Sequence, residues 1–400
     1  MTKKQLEKLY SDEISLNPSK DISDYVEKNL LKVKELRKNF HIPVIGIAGS
    51  QGKTTTKRML SAILSARGRV LETPLDSDSA SAVTATLIQL NDSIKYVILE
   101  LGMVNQEQFK RSVEVSQPTA GIITNIGESN LIDLSEKFVL ADVKVELIRK
   151  LPPEGFALLN IDDELVSGME AFCSTPRIIK FGLNSKAHFY ASNINYLGPD
   201  GMEFHVNDYY RFHLPIYGST SVSNALAAIA TGRILNFEFD EIKLALEKNF
   251  ELLTGRGNLI NLKDVYILDH TYNATVNSVT KACESLVQFR KFSKHLILVL
   301  GDLEDLGKFS FKIHKNLGYY ISALPIERII TVGKDSVLVG DGILEINHNK
   351  KKIEHCFDKE EITQRLLKKL EPDTTILMIG RKSLNLENEL QSLVKKIKNF

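Results

Sequence analysis

This sequence predicts an α/β fold with two parallel sheets, and three observations predict it. Short apolar runs of strand length recur from residue 44 onward, segments of helical periodicity separate them, and a glycine-rich turn follows the first run directly. The chain has 400 residues, 43% hydrophobic and 25% charged, material for two or three water-soluble domains. Lys plus Arg number 51 against 50 Asp plus Glu, so no global field draws the chain to nucleic acid or to an anionic membrane. Cys173, Cys283 and Cys356 lie far apart without C-x-x-C spacing, which points to a reducing compartment and away from a disulfide framework or a zinc site. The charged start at Met1 to Gln5 has no signal-like apolar core, and no apolar run reaches about 18 residues. The expectation is a cytoplasmic protein with no membrane insertion.

Residues 1–40 are mostly polar. Ile22, Val26, Leu30, Val33 and Arg37 fall at helical spacing behind a cap at Ser23, with Asp24 and Glu27 in the first turn. This predicts one amphipathic helix whose stripe packs on the next domain or serves dimerisation; the sequence leaves both open, and the oligomeric state with them. From 41 to 253 a central domain is expected, with strands at 44–48, 96–100, 120–124 and 156–160. Between about 186 and 216 the texture changes to shorter alternating pieces around Pro199-Asp200-Gly201, an antiparallel insertion in hairpin form. A helix over 221–235 closes this domain. Near Thr254-Gly255-Arg256-Gly257 two glycines allow a hinge, and residues 254–400 form a second domain. Its strands fall at 265–268, 295–300, 328–332 and 375–379, its helices at 276–289, 309–323, 359–370 and 383–398. It reads as a Rossmann-like open α/β sheet without a phosphate loop of its own.

The chemistry starts at Gly49-Ser50-Gln51-Gly52-Lys53-Thr54-Thr55-Thr56, between the run Val44 to Ala48 and a helical pattern holding Met59, Leu60, Ile63 and Leu64. Strand, glycine turn and helix start form a phosphate loop of the short type G-x-x-G-K-T-T. Residues 49–55 are expected to bind ATP: backbone N–H groups meet phosphate oxygens, Lys53 reaches the terminal phosphates, and Thr54 offers a hydroxyl to Mg²⁺. Glu100, at the end of the second strand in Glu100-Leu101-Gly102, puts a carboxylate at the sheet edge where it shares that Mg²⁺. Thr124-Asn125-Ile126-Gly127-Glu128-Ser129-Asn130 closes the third strand with further oxygen donors, and Lys144 sits on a helix in Ala141-Asp142-Val143-Lys144-Val145-Glu146.

Taken in order, G-S-Q-G-K-T-T-T, E-L-G, T-N-I-G-E-S, A-D-V-K-V-E, L-N-I-D-D at 158–163, S-N-A-L-A-A-I-A at 223–230, G-R at 255–256, L-D-H-T-Y-N-A at 268–274 and V-L-G-D-L-E-D-L-G at 299–307 form one series. It resembles that of the Mur ligases, the ATP-dependent amino-acid and peptide ligases of peptidoglycan synthesis, nearest to the branch that adds D-Ala-D-Ala and is called MurF. The resemblance spans residue 41 to about 390. It implies that Lys144 is carbamylated by CO₂ and ligates a second Mg²⁺, with Asn130 standing where the family commonly has a histidine ligand. It implies also that Asn224 reads the adenine, that Arg256 contacts an ATP phosphate when the last domain closes, and that Asp269 meets the nucleotide from that domain. On the plain reading Lys144, Arg256 and Asp269 are solvent-exposed charges and Asn224 a polar helix-end residue facing water. Thr220 stands where the family often has histidine, Ile379-Gly380-Arg381-Lys382-Ser383 replaces a K-G-S-R type motif, and some 40 residues stand in place of the family's N-terminal UDP-sugar-binding domain.

The function implied is an ATP-dependent carboxylate–amine ligase working through an acyl phosphate. Lys53, Glu100 and Lys144 are its catalytic residues, ATP and Mg²⁺ its cofactors, and a small-molecule or peptide carboxylate and amine its substrates. Two alternatives stay open at this point: a ligase for another non-ribosomal or γ-linked peptide, and a non-catalytic ATP-binding scaffold.

Overall fold

The computed structural model of the chain describes residues 18–103, 105–127, 134–304, 306–346 and 352–398. Its contacts divide it into two compact units. The first takes in residues up to 126, 137–190 and 223–250; the second holds 127–136, 191–222 and 251 onward.

The first unit is a parallel sheet of β1 (Val44–Ala48), β2 (Arg69–Glu72), β3 (Ile94–Glu100), β4 (Ala120–Ile123), β5 (Phe156–Asn160) and β6 (Ile178–Gly182), in the order β2-β3-β1-β4-β5-β6. Every residue of β1, β4 and β5 is buried, which is why these strands are unbroken apolar runs without alternation: helices cover both faces. The helix Lys53–Leu64 returns from β1 and buries Met59, Leu60, Ile63 and Leu64. The N-terminal helix runs Pro18–Asn39. Its described part begins five residues before the expected Ser23 cap. Its Leu30 and Val33 join the core around Val44, Val83 and Leu87, so the stripe packs on its own unit.

β7 (Phe189–Tyr196) begins as a parallel neighbour of β6 and ends in the second unit. There it pairs antiparallel with β8 (Met202–Val206), and β8 with β9 (Tyr210–Leu214), so the expected hairpin gains a third strand. The second unit's main sheet comprises β10 (Asn258–Leu262), β11 (Val265–His270), β12 (His295–Gly301), β13 (Arg328–Val332), β14 (Lys352–Cys356) and β15 (Thr374–Ile379). They lie in the order β10-β11-β15-β12-β13-β14, parallel except for β10. Alternate residues feed two cores: Leu268, Leu298, Leu300 and Leu377 pack with Val279, Leu286 and Leu317. Ile267, Val299, Ile376 and Met378 pack with Ile362, Leu366 and Leu390 on the other face. Among the described residues no helix is long and apolar enough to cross a membrane.

Candidate active site

Register builds the site. Ala48 pairs with Ile123 and Ile47 with Glu100, so the residues that follow β1, β3 and β4 emerge side by side at the carboxyl edge of the first sheet. The loop after β1 is bolted to the one after β4. Ser50 N donates to Asn125 O (3.0 Å), Gln51 N to Asn125 Oδ1 (3.0 Å), and Ser50 Oγ to Ile126 O (2.7 Å). Thr124 Oγ1 and Asn125 Nδ2 donate to Gln51 O at 2.6 and 3.0 Å. Gly52 turns the chain into the helix at φ 81°, and a Cβ there would lie 2.2 Å from Asn224 Oδ1. Only glycine tolerates both conditions. The helix it opens has no side-chain cap and no acid in its first turn, where Lys53, Thr54 and half-buried Thr55 stand. Such an end presents N–H groups and the positive pole of the helix dipole to an anion.

Three side chains converge on this turn. Lys53 Nζ donates to Gly49 O (3.3 Å) and lies 3.8 Å from Asp78 Oδ2. Thr54 Oγ1 donates to Glu100 Oε1 at 2.9 Å, both residues being buried. Glu100 Oε2 accepts no well-aligned hydrogen bond, although Lys57 Nζ is 3.3 Å away. A hydroxyl and a buried carboxylate beside a phosphate loop fit Mg²⁺, which takes one or two carboxylates and completes its shell from phosphates and water. No group of three or more His, Cys, Asp or Glu among the described residues is placed to hold a metal alone.

Lys144 is the last residue of the helix Leu134–Lys144, 4% exposed, and its Nζ donates to Ser50 Oγ at 2.8 Å. Burial foremost, then the nearby Lys53 charge, pull its pKa down, with Asp163 opposing, to about 7. This amine is therefore largely neutral just above neutrality, the form that adds to CO₂. It is not the exposed surface lysine of the plain reading. Nor does Asn224 face water: it is 6% exposed and lies against Gly52. Asn130 lies outside the described residues.

Arg256 and Asp269 belong to the second unit. The Arg256 guanidinium sits 3.7 Å from the centroid of the Tyr272 ring, with Lys382 Nζ at 4.8 Å from the same centroid. Asp269 is fully buried, not exposed: it accepts from Gly255 N (2.8 Å), Thr271 N (3.0 Å) and Thr271 Oγ1 (2.7 Å). Its carboxylate thus holds the turn that carries Arg256.

Sequence reasoning missed Asp78, Lys57 and the role of Asp163. Asp78 lies in a polar stretch without a motif, yet its Oδ2 is 1.9 Å from where a Cβ on Gly102 would be, so the glycine of E-L-G makes room for it. Its carboxyl is pushed up by burial, with Lys53 opposing and Glu100 adding to the rise. Asp163 caps a short helix through Leu165 N and Val166 N and accepts from Ile126 N at 2.8 Å, fixing the segment that grips the phosphate loop. The fragment L-N-I-D-D contained this signal.

Two family models match the chain. Residues 47–232 match the Mur ligase middle domain, and residues 255–382 the Mur ligase, glutamate ligase domain. The UDP-N-acetylmuramoyl-tripeptide–D-alanyl-D-alanine ligase of Buchnera aphidicola subsp. Baizongia pistaciae is 31% identical over 366 residues, 90% of this chain and 77% of that protein. The chain belongs to the Mur ligase family. The Escherichia coli K12 ligase of the same name is 30% identical over 88% of this chain and 76% of its own length. A crystal structure of MurF from Acinetobacter baumannii superposes with a TM-score of 0.80 at 26% identity, covering 91% of this chain and 79% of that one. The chain is thus a MurF-like Mur ligase, an ATP-dependent, amide-bond-forming enzyme of the kind that serves peptidoglycan-precursor synthesis.

Proposed function

We propose that this ligase joins the amine of D-alanyl-D-alanine to the terminal carboxylate of a UDP-N-acetylmuramoyl-tripeptide, the pair named for its relatives, and that it does so in the cytoplasm. The observation that carries the proposal is the Thr54–Glu100 pair at 2.9 Å beside an uncapped helix start, with Lys53 and Lys144 both hydrogen-bonded to the phosphate loop. In the first step a substrate carboxylate oxygen attacks the γ-phosphorus of ATP, ADP leaves, and an acyl phosphate remains. Residues 49–55 receive the phosphates through backbone N–H groups, and Lys53 leaves Asp78 and Gly49 O for the γ-phosphate oxygens. Thr54 and Glu100 would hold Mg²⁺, which when bound offsets charge on the phosphates. In the second step the amine attacks the acyl carbonyl, the ammonium proton is lost, and inorganic phosphate departs.

Lys144 is proposed to act as its carbamate: the neutral amine adds to CO₂, a proton is released, and the resulting anion, together with Asn130, would help hold a second Mg²⁺. Asn224 is assigned to the nucleotide, and so is Arg256, whose turn Asp269 holds. The decisive experiment supplies ATP, Mg²⁺, the tripeptide precursor and D-Ala-D-Ala together and singly. ADP should form only when acid and amine are both present, with the amide product detected by mass. ADP release that ignores both substrates would overturn the proposal. For Lys144, intact mass in bicarbonate buffer should show a gain of one CO₂ that Lys144→Met lacks.

A further inference from the structure

Lys57 is the buried charge that the mechanism above leaves unused. It is 0% exposed and among the largest fully enclosed side chains of the described residues. Four residues after Lys53 and three after Thr54, it lies one helical turn deeper on the side of the helix that faces the sheet. Its ammonium donates to Thr73 O (2.8 Å), Pro74 O (3.2 Å) and Thr73 Oγ1 (3.4 Å), and Glu100 Oε2 is 3.3 Å away. An ammonium has three protons, and this one, closed off from the surface, faces these four acceptors.

A lysine in a sheet-facing position is costly, since a methionine of similar length would fill the space without desolvating a charge. What the charge supplies is geometry at two places. Glu100 is 5% exposed, and only its Oε1 takes a hydrogen bond, from Thr54; the other oxygen is held by attraction to Lys57. Removing the cation leaves a buried carboxylate free to swing from the Thr54 direction. The second place is the segment after β2. Thr73 Oγ1 accepts from Glu100 N (3.0 Å), Thr73 N donates to Ile98 O (3.2 Å), and Lys57 clamps the carbonyls of residues 73 and 74. Four residues on, Asp78 O accepts from Gly102 N at 2.9 Å and the Asp78 carboxylate meets Lys53.

We propose that Lys57 is a positioning residue: it aims the Glu100 carboxylate at the divalent cation of the nucleotide complex and fixes the 73–78 segment that brings Asp78 to Lys53. The assignment rests on the reading of Glu100 as a metal donor. Its signature is a selective loss, in which metal affinity in the presence of nucleotide falls while nucleotide affinity without metal holds.

The test uses the full chain with Lys57→Met, Lys57→Arg, Glu100→Gln and the double variant Lys57→Met/Glu100→Gln. Mn²⁺ binding is read by electron paramagnetic resonance at saturating ADP, and metal-free ADP binding by a fluorescent analogue. Lys57→Met should weaken Mn²⁺ binding about tenfold or more, the scale on which groups that orient a ligand act, and move metal-free ADP binding far less. Lys57→Arg should restore part of the loss. The double variant should bind Mn²⁺ no more weakly than Glu100→Gln alone, because both changes act through one carboxylate. A folded Lys57→Met protein with unaltered Mn²⁺ affinity overturns the proposal, as do multiplying losses in the double variant. Should Lys57→Met alone fail to fold, the double variant lacks the unpaired charge and its comparison with Glu100→Gln decides. Unchanged Mn²⁺ binding in Glu100→Gln itself would instead sink the metal reading on which the proposal stands.

Discussion

Glu100 ends β3 in the first unit, and Asp269 is the last residue but one of β11 in the second; both are buried carboxylates at the carboxyl edge of a parallel sheet. They are used in opposite ways. Both oxygens of Asp269 accept hydrogen bonds, from Gly255 N, Thr271 N and Thr271 Oγ1, as both of Asp302 do from Lys334 N, Asp335 N and Ser336 N. Glu100 keeps one oxygen without an aligned partner. The difference teaches that acids at equivalent edges of similar sheets report stability where their acceptors are filled and ligand chemistry where capacity remains.

The sharpest way to break this contrast is Lys53→Ala. With no structural hydrogen bond beyond Gly49 O to lose, it should leave Tm nearly unmoved and cut turnover about 10³-fold or more, read by coupled ADP release. Lys144→Met comes next. The folded pKa of Lys144 is about 7 against 10.5 when unfolded, so between those values the unfolded chain holds more protons and stability rises with pH. Wild type in CO₂-free buffer should therefore gain on the order of 4 kcal/mol between pH 7 and 10.5 relative to Lys144→Met, measured by urea unfolding. A parallel pH course for the two proteins would remove the assigned burial cost.

A matched pair of isosteric changes tests the comparison directly. Glu100→Gln should lower kcat roughly 10²-fold and also lower Tm, because it leaves the buried Lys57 ammonium without its counter-ion, while Asp269→Asn should cost about 1 to 3 kcal/mol of stability, because filled acceptors become partly donors, with a smaller loss of kcat. Equal kcat losses in the two would erase the distinction. The smallest effect concerns His270. The residue keeps some exposed surface, but its Nε2 is enclosed without a partner, and burial draws its pKa from 6.5 to about 4. In that window the unfolded state binds more protons, so stability is lost as pH falls from 6.5 toward 4, by on the order of 2 kcal/mol. His270→Phe should flatten that slope in acid unfolding curves.

Much of the fold was legible because central strands buried on both faces are apolar runs, as in Val44–Ala48 and Thr374–Ile379. The strands left unread include β2, β9, β10 and β14, the four sheet edges, where one side meets solvent and sequences such as Asn258–Leu262 carry polar residues. The helix Val337–Ile346 escaped because Gly340 and Gly342 interrupt its pattern. The phosphate loop, Glu100 and Lys144 were visible as local motifs. Asp78 and Lys57 were not, since their meaning arises from approach across distant segments: Asp78 against Gly102, Lys57 against Thr73. Asn224 was assigned through resemblance alone, and its contact with Gly52 across more than 170 residues is visible only in three dimensions.

The passage of β7 out of the first unit bears on how the polypeptide matures during translation. Residues 191–222 emerge from the ribosome ahead of 251–400, the remainder of the body they complete, and Tyr217 waits for Phe289, 6.1 Å away between ring centroids in the finished protein. Until that later stretch is synthesised, the three-stranded ribbon lacks its apolar partner. A nascent chain halted near residue 250 should accordingly shield the core beneath Lys53–Leu64 while β7 to β9 remain open to protease.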